Sequence, residues 1–193
     1  LAQRIFILII LLTFLSCSNN HKSVSNKLNN DSSVNLTLHY DNGFSGNSSF
    51  MANKEQYEIG IRLIPIILKP YKEYKITKVK VYIKEKPVSL VLNIYKKKNN
   101  FQPGDLILSQ RIGYVRDNSW NEILLDKYIS LKENDEIWIG FNTKVDKNCI
   151  NVFGFDYGPS YINGALCRIN GVWKPLNTEG NLNIRAIIQQ LNL

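Results

Sequence analysis

The chain has 193 residues, with 24 Lys and Arg against 16 Asp and Glu, a formal net charge of +8 and a hydrophobic fraction of 44%. That length and apolar content suit one domain with a sizeable core. Two histidines and three cysteines argue against a clustered-histidine zinc site, and the lysine-rich surplus, without an Arg face or a nucleic-acid motif, reads as a solvated surface with long-range steering as its residual role and no nucleic-acid partner expected.

Ile5 to Leu15 is apolar except for Thr13, follows Arg4, and runs into Ser16-Cys17. A bilayer-spanning helix needs about 20 such residues. A short basic start, a short apolar run and a small residue describe a secretory signal peptide. With Cys17 directly after Ser16, the segment resembles a bacterial lipoprotein signal, in which the cysteine becomes the lipid-bearing N-terminus. An ordinary signal peptide with a free cysteine nearby is the alternative. The expected organisation is a signal peptide at 1–16, a lipidated, disordered tether at 17–34 rich in Ser, Asn and Lys, and a folded domain at 35–193. Ser18 carries no signal for inner-membrane retention, so the expected location is the outer membrane, facing the cell surface or the periplasm.

From Tyr40 onward apolar residues alternate with polar ones. Val79, Val81 and Ile83 alternate with Lys78, Lys80 and Tyr82. Leu90, Leu92 and Ile94 alternate with Val91, Asn93 and Tyr95. Ile137, Ile139 and Phe141 alternate with Trp138 and Gly140, and Leu182, Ile184, Ala186 and Ile188 complete the set. A period of two marks strands with one face inward. Further strands are expected at Ile59–Leu63, Leu106–Ser109, Glu122–Leu125, Val152–Phe155 and Leu166–Ile169. Turn signals separate them at Asp41-Asn42-Gly43, Gln102-Pro103-Gly104-Asp105, Asp117-Asn118-Ser119, Glu133-Asn134-Asp135, Asn170-Gly171 and Glu179-Gly180-Asn181. The spacing predicts an all-β, antiparallel sandwich. Between Ile64 and Tyr71, Pro65 and Pro70 predict an irregular crossover or a single helical turn.

Cys149 and Cys167 flank the turn signal Tyr157-Gly158-Pro159-Ser160. A hairpin centred on Gly158 would set them opposite one another, as a disulfide in an oxidising compartment or as two buried thiols. For catalysis, His39 is the one histidine of the folded part. Gly43-Phe44-Ser45-Gly46 lacks the spacing of a nucleophile elbow. Glycoside cleavage needs only two carboxylates at a set separation and stays open as an alternative, but the acidic residues Asp105, Asp117, Asp126, Glu133, Asp135 and Glu136 fall in or beside turns, where such side chains are routine. No enzymatic activity is expected.

The stretches "YDNG" (40–43), "ITKVKVYI" (76–83), "PGDLILSQ" (103–110), "SWNEILLD" (119–126), "EIWIGF" (136–141), "FDYGPS" (155–160), "INGVWKPL" (169–176) and "NLNIRAII" (181–188) occur in one order. This series resembles jelly-roll-like β-sandwich modules of exported proteins and lipoproteins in Bacteroidetes and some spirochaetes. The resemblance implies a jelly-roll-like sandwich and a non-catalytic binding or adhesion unit akin to a carbohydrate-binding module.

Sugar binding favours aromatic planes beside fixed polar groups. Tyr157, Tyr161 and Trp173 are the candidate planes, with Asp156 and Asn163 as polar contacts. Trp173 also reads as a core cap after the Asn170-Gly171 turn, and Trp120 and Trp138 read as packing residues. Asp41, Asn42 and Asp156 carry oxygens suited to a structural calcium ion. Asp41-Asn42-Gly43 reads more simply as a self-capped turn, and no other cofactor is expected. The expected partners are the membrane, through the lipid, and a glycan, with an envelope protein as the alternative. The arrangement of Tyr157, Tyr161 and Trp173 distinguishes these: a shared concavity points to a glycan, a flat apolar patch to a protein.

Overall fold

Each strand of this chain has one apolar edge to hide, and two sheets laid face to face hide all of them together. The structure is a computed structural model that describes residues 34–43, 55–97, 102–146, 151–176 and 178–190. They fall within one compact unit, Ser33–Leu193. The expectations for the signal peptide, Cys17 and all of the tether before Val34 lie outside the described residues.

In chain order the elements are β1 (Asn35–Leu38), β2 (Gln56–Leu63), α1 (Pro65–Leu68), β3 (Lys75–Ile83), β4 (Ser89–Lys97), β5 (Pro103–Ile112), β6 (Ser119–Ser130), β7 (Ile137–Lys144), β8 (Ala165–Ile169), β9 (Val172–Pro175) and β10 (Ile184–Gln189). They form two antiparallel sheets, ordered β1-β10-β3-β6 and β5-β4-β7-β2-β8-β9. The chain passes repeatedly from one sheet to the other. With the β8–β9 hairpin set aside, the remaining strands have the connectivity of a jelly roll, and the hairpin extends one sheet beyond β2. Among the described residues no helix is long and apolar enough to cross a membrane.

The inward residues are those the alternation selects. Val79, Val81 and Ile83 of β3 and Ile184, Ala186 and Ile188 of β10 pack against Ile59, Ile61, Leu92, Ile94, Ile139 and Phe141 of the other sheet. Each buried aliphatic side chain contributes about 1.5–3 kcal/mol by removal from water. Pro65 opens a single helical turn, extended by a 3-10 turn at Lys69–Tyr71, and the turn drops Leu68 into the core. Asn118, Asn134 and Asn170 take left-handed backbone at the expected turns, as Asn tolerates.

Two features depart from expectation. Val152–Phe155 does not form a full strand. Phe153 and Phe155 make single bridges to Ile83 and Leu182, because the segment slots between the end of β3 and residues 181–183, bonded on both sides (Gly154 N–H to Tyr82 O, 3.1 Å; Asn183 N–H to Gly154 O, 3.0 Å). The hairpin centred on Gly158 is therefore absent. Its first arm joins the β3 side, while its second arm, β8, has β2 on one edge and β9 on the other. Cys167 on β8 is a buried free cysteine whose thiol burial pushes up to about 11; Cys149 lies outside the described residues.

At the corner between the sheets, the Gln110 amide of β5 donates to the carbonyl of Leu124 (2.9 Å) and accepts from the N–H of Asp126 (3.1 Å). It occupies backbone groups of β6, whose one side pairs with β3 and whose other side is a sheet edge.

Candidate functional site

The outward face of the six-stranded sheet is set by the same period of two. While Tyr57, Ile59, Ile61 and Leu63 face the core, β2 turns Gln56, Glu58, Gly60 and Arg62 outward. In register beside them β7 presents Trp138, Gly140 and Asn142, β4 presents Val91, Asn93 and Tyr95, and β8 presents Leu166 and Arg168. Gly60 and Gly140 are directly opposed, so the centre of the face has no side chains. A Cβ on Gly140 would lie 2.6 Å from Glu58 Oε1 and 3.2 Å from the Trp173 ring. Gly140 is thus the floor over which Glu58 and Trp173 lie, while a Cβ on Gly60 would lie 2.3 Å from the carbonyl of Ile139 on β7.

The face is walled at one end. Gln102, just before edge strand β5, donates its amide to the carbonyl of Trp173 on the opposite edge strand β9 (3.3 Å). Register shifts between β4 and β5 around Tyr95 bend the sheet there, as bulges do. Beneath this closure Tyr95, Trp138, Leu166 and Trp173 form a second apolar cluster. The Trp173 ring meets Tyr95 and Trp138 edge-to-face, with centroids 6.2 and 5.7 Å away, the geometry that ring quadrupoles favour.

Two carboxylates are buried in this face. Glu58, 1% exposed, accepts at Oε1 from Asn93 Nδ2 (2.9 Å) and the Tyr95 hydroxyl (2.8 Å), and at Oε2 from Arg168 Nη1 (3.4 Å). Asn93 is oriented in turn by the Ser109 hydroxyl (2.8 Å). Burial, and then the Glu58 charge, hold the Tyr95 phenol well above its ordinary range, so it stays a donor. The second, Glu136, takes a two-pronged bond from Arg62 (2.8 and 2.9 Å) and one from the Trp138 indole N–H (2.9 Å). Burial pushes its carboxyl up, but the bonds from Arg62 and Trp138 and the charges of Arg62 and Lys97 outweigh it and hold it below the usual value. Each carboxylate is matched to its own arginine. The result is a fixed pattern of donors and acceptors around aromatic planes.

Two depressions open on this face and share Arg168. One, of about 160 Å³, lies between Tyr95, Gln102, Gly104 and Trp173. The other, of about 290 Å³, is lined by Gln56, Glu58, Asn142 and Asn170.

The residues singled out from sequence are divided between this face and a loop cluster. Trp173 belongs to the face, at 5% exposure a wall rather than an open platform. Tyr157, 66% exposed, lines a separate cleft of about 470 Å³ with Ser160, Thr178 and Glu179. Tyr161 stacks on Tyr40, ring centroids 4.4 Å apart. Asn163 sits in the tight turn before β8 with a left-handed backbone. The three aromatics therefore do not share one concavity.

Asp156 is fully buried and gathers three chain segments, accepting from the N–H groups of Asn42 (2.8 Å), Gly158 (3.1 Å) and Asn181 (2.6 Å). It is a loop clamp, not a sugar contact. Gly180 permits this closeness, since a Cβ there would lie 2.1 Å from the Asp156 carbonyl. Asp41 accepts from Gly43 N–H (2.9 Å), the self-capped turn, and from Arg185 at both oxygens. The calcium expectation at Asp41 and Asp156 is corrected on this ground: N–H donors occupy the lone pairs a cation would need. Among the described residues no group of three or more His, Cys, Asp or Glu is placed to hold a metal.

Sequence reasoning passed over Glu58, Asn93, Tyr95 and Arg168 as a group. The signal for Glu58 was present, because Gln56, Glu58, Gly60 and Arg62 alternate with apolar neighbours. Its burial depends on a hairpin more than a hundred residues away in the chain.

No family model matches the sequence, and no curated protein matches it. Among solved structures, the chain is similar to a variant of the clostridial cysteine protease Cwp84 after propeptide cleavage, with 12% identity and a TM-score of 0.59 over 80% of this chain and 40% of that one. It is also similar to the cysteine protease and lectin-like domains of Cwp84, a surface layer associated protein of Clostridium difficile. There the identity is 11% and the TM-score 0.53, over 72% of this chain and 33% of that one. The chain thus spans less than half the length of either, and likeness at this identity is a likeness of fold.

Proposed function

We propose that this chain is a non-catalytic, lipid-anchored, extracytoplasmic protein that binds carbohydrate through the outer face of its six-stranded sheet. The observation that carries the reading is the Glu58 cluster. A carboxylate with matched donors, lying over Gly140 and walled by Trp173, is an expensive arrangement to bury. Its neighbours Gln56, Asn142 and Arg168 offer amide and guanidinium groups at the mouth, the chemistry that takes sugar hydroxyls. One of the similar Cwp84 structures holds a lectin-like domain beside a cysteine protease, and the reading draws on the former. The lipid anchor rests on the Ser16-Cys17 arrangement of the leader.

A glycan array probed with the chain tests the reading. Binding should survive substitutions on the four-stranded sheet and weaken at least tenfold in Arg168→Ala or in Gln56→Ala with Asn142→Ala. Binding to no glycan overturns it. A second reading, an assembly subunit of the envelope, draws on the exposed Tyr157, Tyr161 and Ile162 of the loop cluster. Recovery of a stoichiometric envelope protein, lost when these three are made polar, would favour it.

A further inference from the structure

We infer that the saccharide taken by this face is an acidic one, carrying a carboxylate that Arg168 engages; the inference rests on the carbohydrate reading above. Arg168 stands on β8 between Glu58 of β2 and Trp173 of β9, in register with both, and it lines both depressions. Its Nε–H donates to the carbonyl of Gly171 (3.3 Å) and one Nη1–H donates to Glu58 (3.4 Å). A guanidinium has five N–H donors in a rigid plane. The remaining ones meet no acceptor among the described residues, and the side chain is 41% exposed. The head group is therefore aimed by the protein while part of its donor fork faces the groove. A planar fork matches a carboxylate, which accepts two parallel bonds.

The surrounding charge points the same way. Arg62, Lys97, Arg111, Lys144 and Arg168 lie along this face, against the two carboxylates Glu58 and Glu136. Both carboxylates are already matched, Glu58 by Arg168 and Glu136 by Arg62 with Lys97 at 3.9 Å. Arg111, in register with Val91, and Lys144, in register with Gln56, have no carboxylate partner among the described residues. A concave surface with low-dielectric walls focuses such a surplus toward an anion. A neutral sugar would use the hydrogen bonds of this face but leave the charge surplus without an answer.

The test is titration calorimetry of the chain with glucuronate-, galacturonate- and mannuronate-containing oligosaccharides, each beside its carboxyl-reduced counterpart, at low and high salt. At least one acidic oligomer should bind tenfold or more tighter than its reduced form, with the advantage shrinking as salt rises. Arg168→Gln should abolish that advantage and Arg168→Lys should retain part of it. Lys78→Gln, on the opposite sheet, should leave it unchanged. Should Arg168→Gln not fold, the surface variant Arg111→Gln with Lys144→Gln is read instead, with an expected loss of several-fold in affinity and a flatter salt dependence. Equal binding of acidic and reduced oligomers overturns the acidic specificity and leaves the carbohydrate reading standing. An advantage that survives Arg168→Gln overturns the carboxylate–Arg168 contact. Binding of neither form overturns both readings.

Discussion

The two outward faces of the sandwich are written with the same alternation and end in opposite environments. On the four-stranded sheet Lys78 meets Glu122 at 2.7 Å with both side chains a third or more exposed, and Leu124 beside them stands in water. On the six-stranded sheet Glu58, Trp138 and Trp173 are almost completely buried. The difference is not in the strands. It comes from the β8–β9 hairpin and from Gln102, which reach over one face and leave the other bare. Covering a face turns an ordinary polar side chain into one whose every lone pair must be matched. A surface ion pair such as Lys78–Glu122 contributes about 0–1 kcal/mol, whereas a buried acceptor carries its donors' stability with it.

The sharpest way to break this comparison is to remove one carboxylate from each face. Glu58→Ala leaves the Asn93 amide and the Tyr95 hydroxyl without their acceptor and should cost about 2–4 kcal/mol. Glu122→Ala should cost less than about 1 kcal/mol. Urea midpoints of the two variants give the contrast, and equal losses would sink it. Next comes Gly140→Ala, which forces Glu58 and Trp173 aside and should cost about 1–3 kcal/mol, as overpacking does. A neutral result would mean that the floor of the face is looser than its contacts indicate.

The smallest of these effects concerns pH. The Glu136 carboxyl is held below its ordinary value of 4.5 in the folded chain. Its contribution to stability is therefore complete above that value and lost as pH falls through the lower, folded one. In Glu136→Gln the pH dependence of stability in this acidic window should flatten, by an amount smaller than the Glu58→Ala loss. An unchanged slope would remove Glu136 from the account.

The core strands were legible because burial from one side leaves a period of two, and Val79, Val81, Ile83, Ile137, Ile139 and Phe141 all face inward as the pattern requires. β1 and β9 were not. β1 offers only Leu36 and Leu38 to the core, and β9 is four residues ending in Pro175, too short for periodicity to register. The site was legible in pieces. Trp173 reads in sequence as both a ligand plane and a core cap, and its burial favours the cap. Glu58 and Arg168 escaped because nothing local distinguishes a solvated charge from one that a distant hairpin will cover. Asp156 reads as a ligand contact for a related reason: a loop acid that gathers amides from residues 42, 158 and 181 looks, in sequence, like any other loop acid.

Gln110 carries a consequence beyond the fold of one molecule. An open strand border is adhesive toward any other chain that offers the same spacing. By holding one carbonyl and one amide of β6 with its own side chain, Gln110 denies a neighbouring copy its first two rungs. Gln110→Ala should scarcely lower the melting temperature, yet concentrated solutions of it should grow thioflavin-positive fibrils sooner than the parent does.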